Sequence, residues 1–273
     1  MIQMMKRTSI YTLLLLSALF IGCKEQEVET FHAERGINFV NYSAYSREFS
    51  DDYEHLEAEV NFFTKYAGKT GWDIQPDTIY AGLQIEGTLP DTLVRVKLKV
   101  MPVSGYELPD ISVPDYVDLH TGQYQASFRI VCQKPKDYDK HYKAQILVDY
   151  ANSDVVPGTA ERQAYTVTVC DSTAWNDIRV TDEADFNKSY GKYLGSYGPV
   201  KTRFLFVTFG QSGPVGGTYS VICDQVFYYS KQGWGGFANA YYQSFIKSAL
   251  DSYNQTAGSP LAEPDGTQVK FNF

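Results

Sequence analysis

The chain has 273 residues, 44% of them hydrophobic, with 24 Lys and Arg against 32 Asp and Glu for a formal net charge of −8. That length suits one large domain or two ordinary ones built on a real core. The acidic balance argues against nucleic acid as a partner, because phosphate is repelled.

Lys6 and Arg7 precede an apolar run over 11–21. The run is too short to cross a bilayer as a stable helix, and it reads as the core of a signal peptide over 1–22. It ends in Ala18-Leu19-Phe20-Ile21-Gly22-Cys23. A small residue directly before Cys resembles the bacterial lipobox, with Phe20 where Leu is usual. The resemblance implies cleavage before Cys23 and lipidation of Cys23, and two acyl chains on one Cys anchor a protein stably. The alternative is an ordinary signal peptide with an incidental Cys. Lys24-Glu25-Gln26-Glu27 follow, similar to the surface-export signal of Bacteroidota lipoproteins. This implies an outer-membrane protein held at the cell surface by its lipid. The polar stretch 23–36 reads as a lipidated tether.

From 37 to 170 the hydrophobic period is two. Val94, Val96, Leu98 and Val100 alternate with Arg95, Lys97 and Lys99, which predicts a strand with one face in a core and one in water. Tyr124, Ala126, Phe128, Ile130 and Cys132 form a second such face. Ala144, Ile146 and Val148 form a third; Tyr165, Val167 and Val169 form a fourth. Segments 37–40, 59–64 and 78–86 add further strands. Turn chemistry joins them at Leu89-Pro90-Asp91, His120-Thr121-Gly122, Lys134-Pro135-Lys136-Asp137 and Val156-Pro157-Gly158. About seven short strands with no helix between them predict an antiparallel sandwich, immunoglobulin-like in layout.

The pattern changes near 171. Thr181 is placed to cap a helix running to about Tyr190. Strands are expected over 203–209 and 219–229, with the glycine-rich stretch 210–217 as a hairpin loop between them. That stretch fails as a phosphate cradle, which needs a helix after it. It fails as a nucleophile elbow, because Pro214 stands two residues after Ser212. Phe237, Tyr241, Phe245, Ala249 and Tyr253 are spaced by four and predict an amphipathic helix over 236–254. Val269, Phe271 and Phe273 predict a final strand. The fold class expected is mainly β, α+β overall: a sandwich over 37–170, then an α+β domain over 171–273 with one long amphipathic helix.

Most rings of that helix belong to a core stripe. Trp234 does not, because it stands between Gly233 and Gly235-Gly236 with no helix or strand to bury it. Trp234, with Tyr228 and Tyr229 on the preceding strand, is the candidate platform for stacking on a sugar or peptide. The bland alternative is a plug at the domain edge.

Cys132, Cys170 and Cys223 show no CxxC pair. They read as buried thiols, or with Cys132 and Cys170 bridged. His32, His55, His120 and His141 lack metal-ligand spacing, and no HExxH, GxSxG or Walker sequence occurs. No catalytic residue, metal or cofactor is expected. Asp137-Tyr138-Asp139-Lys140-His141 clusters titratable groups on a probable turn, where solvation explains them.

The C-terminal residues Ala249-Leu250, Tyr253-Asn254, Pro260-Leu261, Asp265-Gly266 and Val269 to Phe271 resemble the ending of a Bacteroidota lipoprotein family of unknown function. Gly195, Tyr197, Lys201 and Phe204 are similar to an upstream segment of that family, with Gly198 where the family often has Ser. The resemblance implies a role beside SusC/SusD-type importers, which draw glycans or oligopeptides through the outer membrane. It brings no site residues with it. The expected function is therefore a non-catalytic surface lipoprotein that binds an oligosaccharide or oligopeptide, or docks on the importer. The alternatives are a purely structural importer subunit and a surface hydrolase of glycan or peptide.

Overall fold

The computed structural model describes residues 35–50, 54–66, 74–212, 218–233 and 235–273. The signal peptide, Cys23, nearly all of the tether, residues 213–217 and Trp234 lie outside the described residues.

The alternating segments fold as two facing sheets. The strands are β1 (Gly36–Ser43), β2 (Glu48–Ser50), β3 (Glu57–Asn61), β4 (Asp77–Glu86), β5 (Val94–Pro102), β6 (Ile111–Ser112), β7 (Tyr116–Leu119), β8 (Gln125–Cys132), β9 (His141–Val148), β10 (Val156–Pro157) and β11 (Ala164–Cys170). One sheet has the order β10-β1-β4-β8-β6, with β2 added to β1; the other is β3-β11-β9-β5-β7. Pairing is antiparallel except for β1 with β10 and β3 with β11. The inward residues are those the period of two selects. Phe39, Leu83, Phe128 and Ile130 from one sheet meet Val96, Leu98, Ile146 and Val167 from the other. Each fully buried side chain of this size contributes about 1.5–3 kcal/mol. The molecule is thus a β-sandwich joined to helices, mainly β with α+β character. Tyr124 and Val100 depart from the expected inward set: Tyr124 is 46% exposed, and Val100 is half-buried outside the core.

The expected strand at 59–64 is cut short. β3 ends at Asn61 and a helical turn follows, α1 (Phe62–Tyr66). Asn61 causes the change, since its Oδ1 accepts from the Phe63 N–H at 3.0 Å in the manner of a cap. The turn also serves packing: Phe62 enters the sandwich core, while Phe63 enters a second core.

That second core is helical. It comprises α2 (Glu183–Leu194), α3 (Pro199–Ser212), α4 (Tyr219–Ile222), a π-helical stretch Cys223–Tyr228, α5 (Tyr229–Gln232) and α6 (Ala240–Ala257). Two expected strands of the C-terminal part are therefore helices. Residues 203–209 lie within α3, and 219–229 form α4 and the π stretch up to the start of α5. The reason is burial on all sides. Phe204, Leu205, Phe206, Val207 and Phe209 are each at most 5% exposed, and a helix apolar all round belongs at the centre of a core. A short continuous apolar run has the same appearance in a buried strand. The final strand is also corrected. Residues 269–273 form no strand, and an isolated bridge joins Ala262 to Gln268. α2 is capped by Asp182, not Thr181: Asp182 Oδ1 accepts from the Asp185 N–H at 2.8 Å. α6 forms nearly as expected, though it begins later, at Ala240, and its Tyr241 points outward, 62% exposed.

α3 is fixed at its N-terminus by one carboxylate. Glu263 Oε2 accepts from the Val200 N–H and Oε1 from the Lys201 N–H, both at 2.9 Å. A carboxylate there satisfies free first-turn donors and faces the positive end of the helix dipole. Gly198 makes room for it, since a Cβ at 198 would stand 2.0 Å from Glu263 Oε1. Lys201 Nζ in turn donates to the Leu194 and Ser196 carbonyls, each at 2.8 Å, closing the end of α2.

Sandwich and helices meet across a buried ion pair. Asp171, directly after β11, is bonded to Arg203 of α3, with side-chain exposures of 0% and 1%. Lys134 Nζ lies 2.6 Å from the other Asp171 oxygen. The Arg203 guanidinium packs 5.2 Å from the Phe63 ring centre and 5.8 Å from that of Tyr138. Asp171→Ala strands this guanidinium, and the expected loss of unfolding free energy is about 3–5 kcal/mol, whereas the double change Asp171→Leu with Arg203→Met costs less. Urea unfolding of the three chains checks it; equal losses from single and double changes would refute the assignment. Glu263→Ala is expected to cost about 1–3 kcal/mol through its two charge-assisted bonds, with Gly198→Ala lowering stability in the same direction. Thermal melts followed by circular dichroism read both.

Candidate functional site

The candidate rings predicted from sequence lie on a helix. Tyr228 closes the π-helical stretch and Tyr229 opens α5. They are 39% and 37% exposed, with ring centres 5.7 Å apart and planes inclined at 51°. The π stretch presents Tyr228 outward while Val226 and Phe227 stay buried. π turns inside helices recur at functional sites.

The glycines around Trp234 have structural work of their own. Gly233 ends α5 in the left-handed region, φ +78°. Gly236 also has positive φ, +54°, and a Cβ there would lie 2.0 Å from the Val226 carbonyl oxygen. The chain can thus pass against the π stretch, where Ser230 Oγ donates to the Val226 carbonyl and accepts from the Phe237 N–H, both at 2.6 Å. The glycine flanks follow from backbone packing and give no information about Trp234 itself.

Beside Tyr228 opens a cleft of about 270 Å³ lined by Asn176, Asp177, Arg179, Ser220 and Asp224, with Tyr219 and Cys223 at its wall. Arg179 links it to the rings. Its guanidinium is 5.9 Å from the Tyr228 ring centre, and its Nη2 is 3.5 Å from Asp224 Oδ1. Arg179 holds a positive φ of +62°, a strained state for a residue with a side chain, of the kind that gathers at ligand sites. Lys231 steadies it by donating to the Arg179 carbonyl. Tyr219 stacks on Phe206 with ring centres 4.8 Å apart, and burial pushes its hydroxyl far above the ordinary phenol range. The arrangement pairs ring faces, which stack on flat apolar ligand surfaces, with carboxylates that accept hydroxyl and amide hydrogens, an amide that both donates and accepts, and a guanidinium that donates.

Sequence reading found the rings and missed Asp177, Arg179 and Asp224. Asp177 and Arg179 lie in a polar connection with no motif, and Asp224 lies in a run read as a strand. The 137–141 group is woven into the fold. Asp137 accepts from the Tyr142 hydroxyl at 2.8 Å and from Lys140 at 3.5 Å, and these bonds hold its carboxyl below the usual range. Asp139 accepts from the Tyr197 hydroxyl at 2.7 Å and from the Thr173 N–H at 3.0 Å. His141 Nε2 is 3.2 Å from Ser172 Oγ. The stretch 210–217 connects helices, so the reason given against a phosphate cradle is overturned: a helix does follow. Its opening N–H groups have a partner of their own in Thr218, whose hydroxyl accepts from the Val221 N–H. Among the described residues, no three His, Cys, Asp or Glu side chains gather as metal ligands, and no helix is long and apolar enough to cross a membrane.

No family model matches the chain, and no curated protein does. Solved structures give partial likenesses. The apo Calx CBD1 domain is 13% identical over 51% of this chain and 99% of its own, at a TM-score of 0.34. A Bacteroides ovatus protein to which carbohydrate binding is ascribed is 10% identical over 50% of this chain and 37% of its own, at 0.34. A second Bacteroides ovatus protein, of unknown function, is 13% identical over 49% of this chain and 43% of its own, at 0.33. This chain therefore spans less than half the length of either Bacteroides ovatus protein, and likenesses this distant transfer no site.

Cys132, Cys170 and Cys223 are free and buried, and Cys223 lies in the π stretch, not in a strand. Burial pushes their thiols up to about 12, 11 and 12. Since the thiolate is the reactive form, none of the three is expected to react with iodoacetamide near neutral pH until the chain is unfolded. Mass mapping of the alkylated residues checks this, and labelling of Cys223 in the native chain would mean that the cleft wall opens.

Proposed function

We propose that this chain is a non-catalytic lipoprotein, anchored through Cys23 at the surface of the outer membrane, that holds an oligosaccharide or oligopeptide beside a SusC/SusD-type importer. One observation carries the ligand-binding part: Arg179, which lines a cleft with Asn176, Asp177 and Asp224, reaches the exposed Tyr228 ring, and Tyr229 stands next to it. Binding sites for small ligands join apolar faces to a few convergent polar groups in this way. Trp234 follows Gly233 directly in the chain and is the third ring assigned to the platform. The lipobox-like 18–23, the acidic residues after Cys23 and the C-terminal resemblance support the cellular setting.

A surface hydrolase is the second reading, and Asp177 with Asp224 in one cleft favours it. Two carboxylates flanking a bond are what glycoside hydrolysis requires. Asp224→Asn separates the readings: a binder retains its ligand unprocessed in both forms, while a hydrolase releases product only with Asp224 present.

A ring stacked on ligand contributes about 0.5–1.5 kcal/mol, or about 2- to 12-fold in affinity. Tyr228→Ala and Tyr229→Ala are each expected to weaken binding by that factor, with Tyr241→Ala as an unaffected control on α6. Calorimetry against a panel of glycans and oligopeptides supplies the measurement. If every ligand bound by the wild-type chain bound Tyr228→Ala equally well, this site would be abandoned.

A further inference from the structure

On one side of the sandwich two strand edges are left open. β6 pairs with β8 only at Ile111↔Cys132 and Ser112↔Val131. The Ile85 N–H donates to the Tyr124 carbonyl at 3.0 Å, which fixes the phase of the β4–β8 ladder. Tyr124, Ala126, Phe128 and Ile130 therefore spend their N–H and C=O groups on β4. Those of Gln125, Ser127 and Arg129 point the other way, where no strand pairs with them among the described residues. The β6 ladder stops for a chemical reason. In its register the residue opposite Arg129 is Pro114, which has no N–H to donate. From there the chain crosses to the other sheet as β7, which pairs with β5. The Leu98 N–H donates to the Asp115 carbonyl at 3.1 Å, so Tyr116 and Asp118 likewise turn their backbone groups away from their neighbour.

The crossing leaves a cleft of about 380 Å³, lined from both β7 and β8. Phe128 and Val117, both buried, give it an apolar floor with Val113 and Val131, and Ser127 is exposed at its rim. Two charged side chains line it, Arg129 and Asp118. Asp118 Oδ1 is held by Arg95 Nε at 3.3 Å. Arg129 is exposed and makes no hydrogen bond or ion pair among the described residues. A cation on an open edge is a common guard against pairing with other chains. Here it stands at a vacant strand position with an apolar cleft beside it. Strand addition uses that combination: main-chain bonds along the edge, and alternate side chains in pockets.

We propose that the open edge of β8 takes an extended segment of a partner protein as an added strand, antiparallel to β8. The segment carries an acidic residue opposite Arg129 and apolar residues opposite Phe128 and Ala126. Directly opposite residues share a face of the sheet, so the acid meets the unpaired guanidinium while the apolar side chains enter the cleft. The edge reads backbone along its length and offers a single unpaired charge. A chain recognised in this way needs no free ends, which fits a segment continuous with a larger protein. The site is separate from the Tyr228–Tyr229 cleft and does not rest on that reading.

The probe is the capped peptide acetyl-Glu-Val-Thr-Val-Thr-amide, titrated into the folded mature chain by calorimetry, with amide hydrogen exchange followed by NMR. One-to-one binding is expected, with slowed exchange of the Ser127 and Arg129 amides. Replacing the probe's Glu by Lys is expected to weaken binding about 2- to 5-fold, and Arg129→Glu to reverse that preference. A probe with Pro at its central position loses a main-chain donor and is expected not to bind. Ser127→Pro removes the facing N–H at an edge position, where Pro is tolerated, and is expected to abolish binding as well. Should Ser127→Pro fail to fold, the reversal by Arg129→Glu decides. The proposal is overturned if the capped probe does not bind, if the Pro probe binds equally well, or if Arg129→Glu leaves the preference unchanged. Tighter binding of the same peptide with free termini would assign the edge to free oligopeptides and overturn the partner assignment.

Discussion

The fold turns on one buried carboxylate. Asp171 stands where the last strand of the sandwich hands the chain to the helices, and it binds Arg203 at the centre of the second core. An ion pair so deeply buried gains little over apolar packing in net stability. What it imposes is geometry. The middle of α3 is buried on all sides, and tying Arg203 to Asp171 selects the rotation that leaves no charge stranded. α1 obeys the same constraint. Its single helical turn sends Phe62 into one core and Phe63 over the guanidinium in the other.

Tyr197, Gly198, Lys201, Glu263 and Asp265-Gly266 build one joint around the ends of α2 and α3. Lys201 closes α2, and Gly198 clears space for Glu263. Tyr197 ties the turn to Asp139 of the sandwich. Asp265-Gly266 forms the turn that returns the chain: Gly266 has φ +86°, and its N–H reaches the Glu263 carbonyl at 2.9 Å. Asn272 then bonds the Tyr193 and Gly191 carbonyls, crossing the end of α2. Residues more than sixty positions apart thus form one joint, whose work is to hold two helices and a tail in register. That joint is architectural, and the chemistry of a ligand site must be argued from elsewhere in the molecule.

The sandwich was legible because strands such as β5, β8 and β9 keep one wet face. Val94, Val96 and Leu98 alternate with exposed or half-exposed cations, and the period of two survives in the sequence. The helical core was not legible for the opposite reason. Phe204 to Phe209 are buried on all sides, and the one polar residue among them, Thr208, is buried too, so no wet face marks a period of 3.6. α6 was readable where α3 was not, since its outer face meets water. The candidate site divides along the same line. Its rings stand out by composition, whereas Asp177, Arg179 and Asp224 come together only once a connection with no period folds beside a helix mistaken for a strand.

A large number of tyrosines is weak evidence for binding until each hydroxyl and each face is followed. Tyr190 is fully buried and donates to the Ile178 carbonyl at 2.5 Å. Tyr197 is spent on Asp139 and Thr173, and Tyr138 forms the wall over Arg203. These rings are structural, and they account for much of the aromatic excess at the junction and in the second core. Tyr45 and Tyr241 are the most exposed of the tyrosines named here, but they line none of the clefts described above. Tyr228 and Tyr229 differ in three respects at once: each is more than a third exposed, they are adjacent, and a strained arginine beside an acidic cleft reaches one of them. It is this coincidence, and not the abundance of rings, that distinguishes a surface able to hold a ligand from one that is merely aromatic.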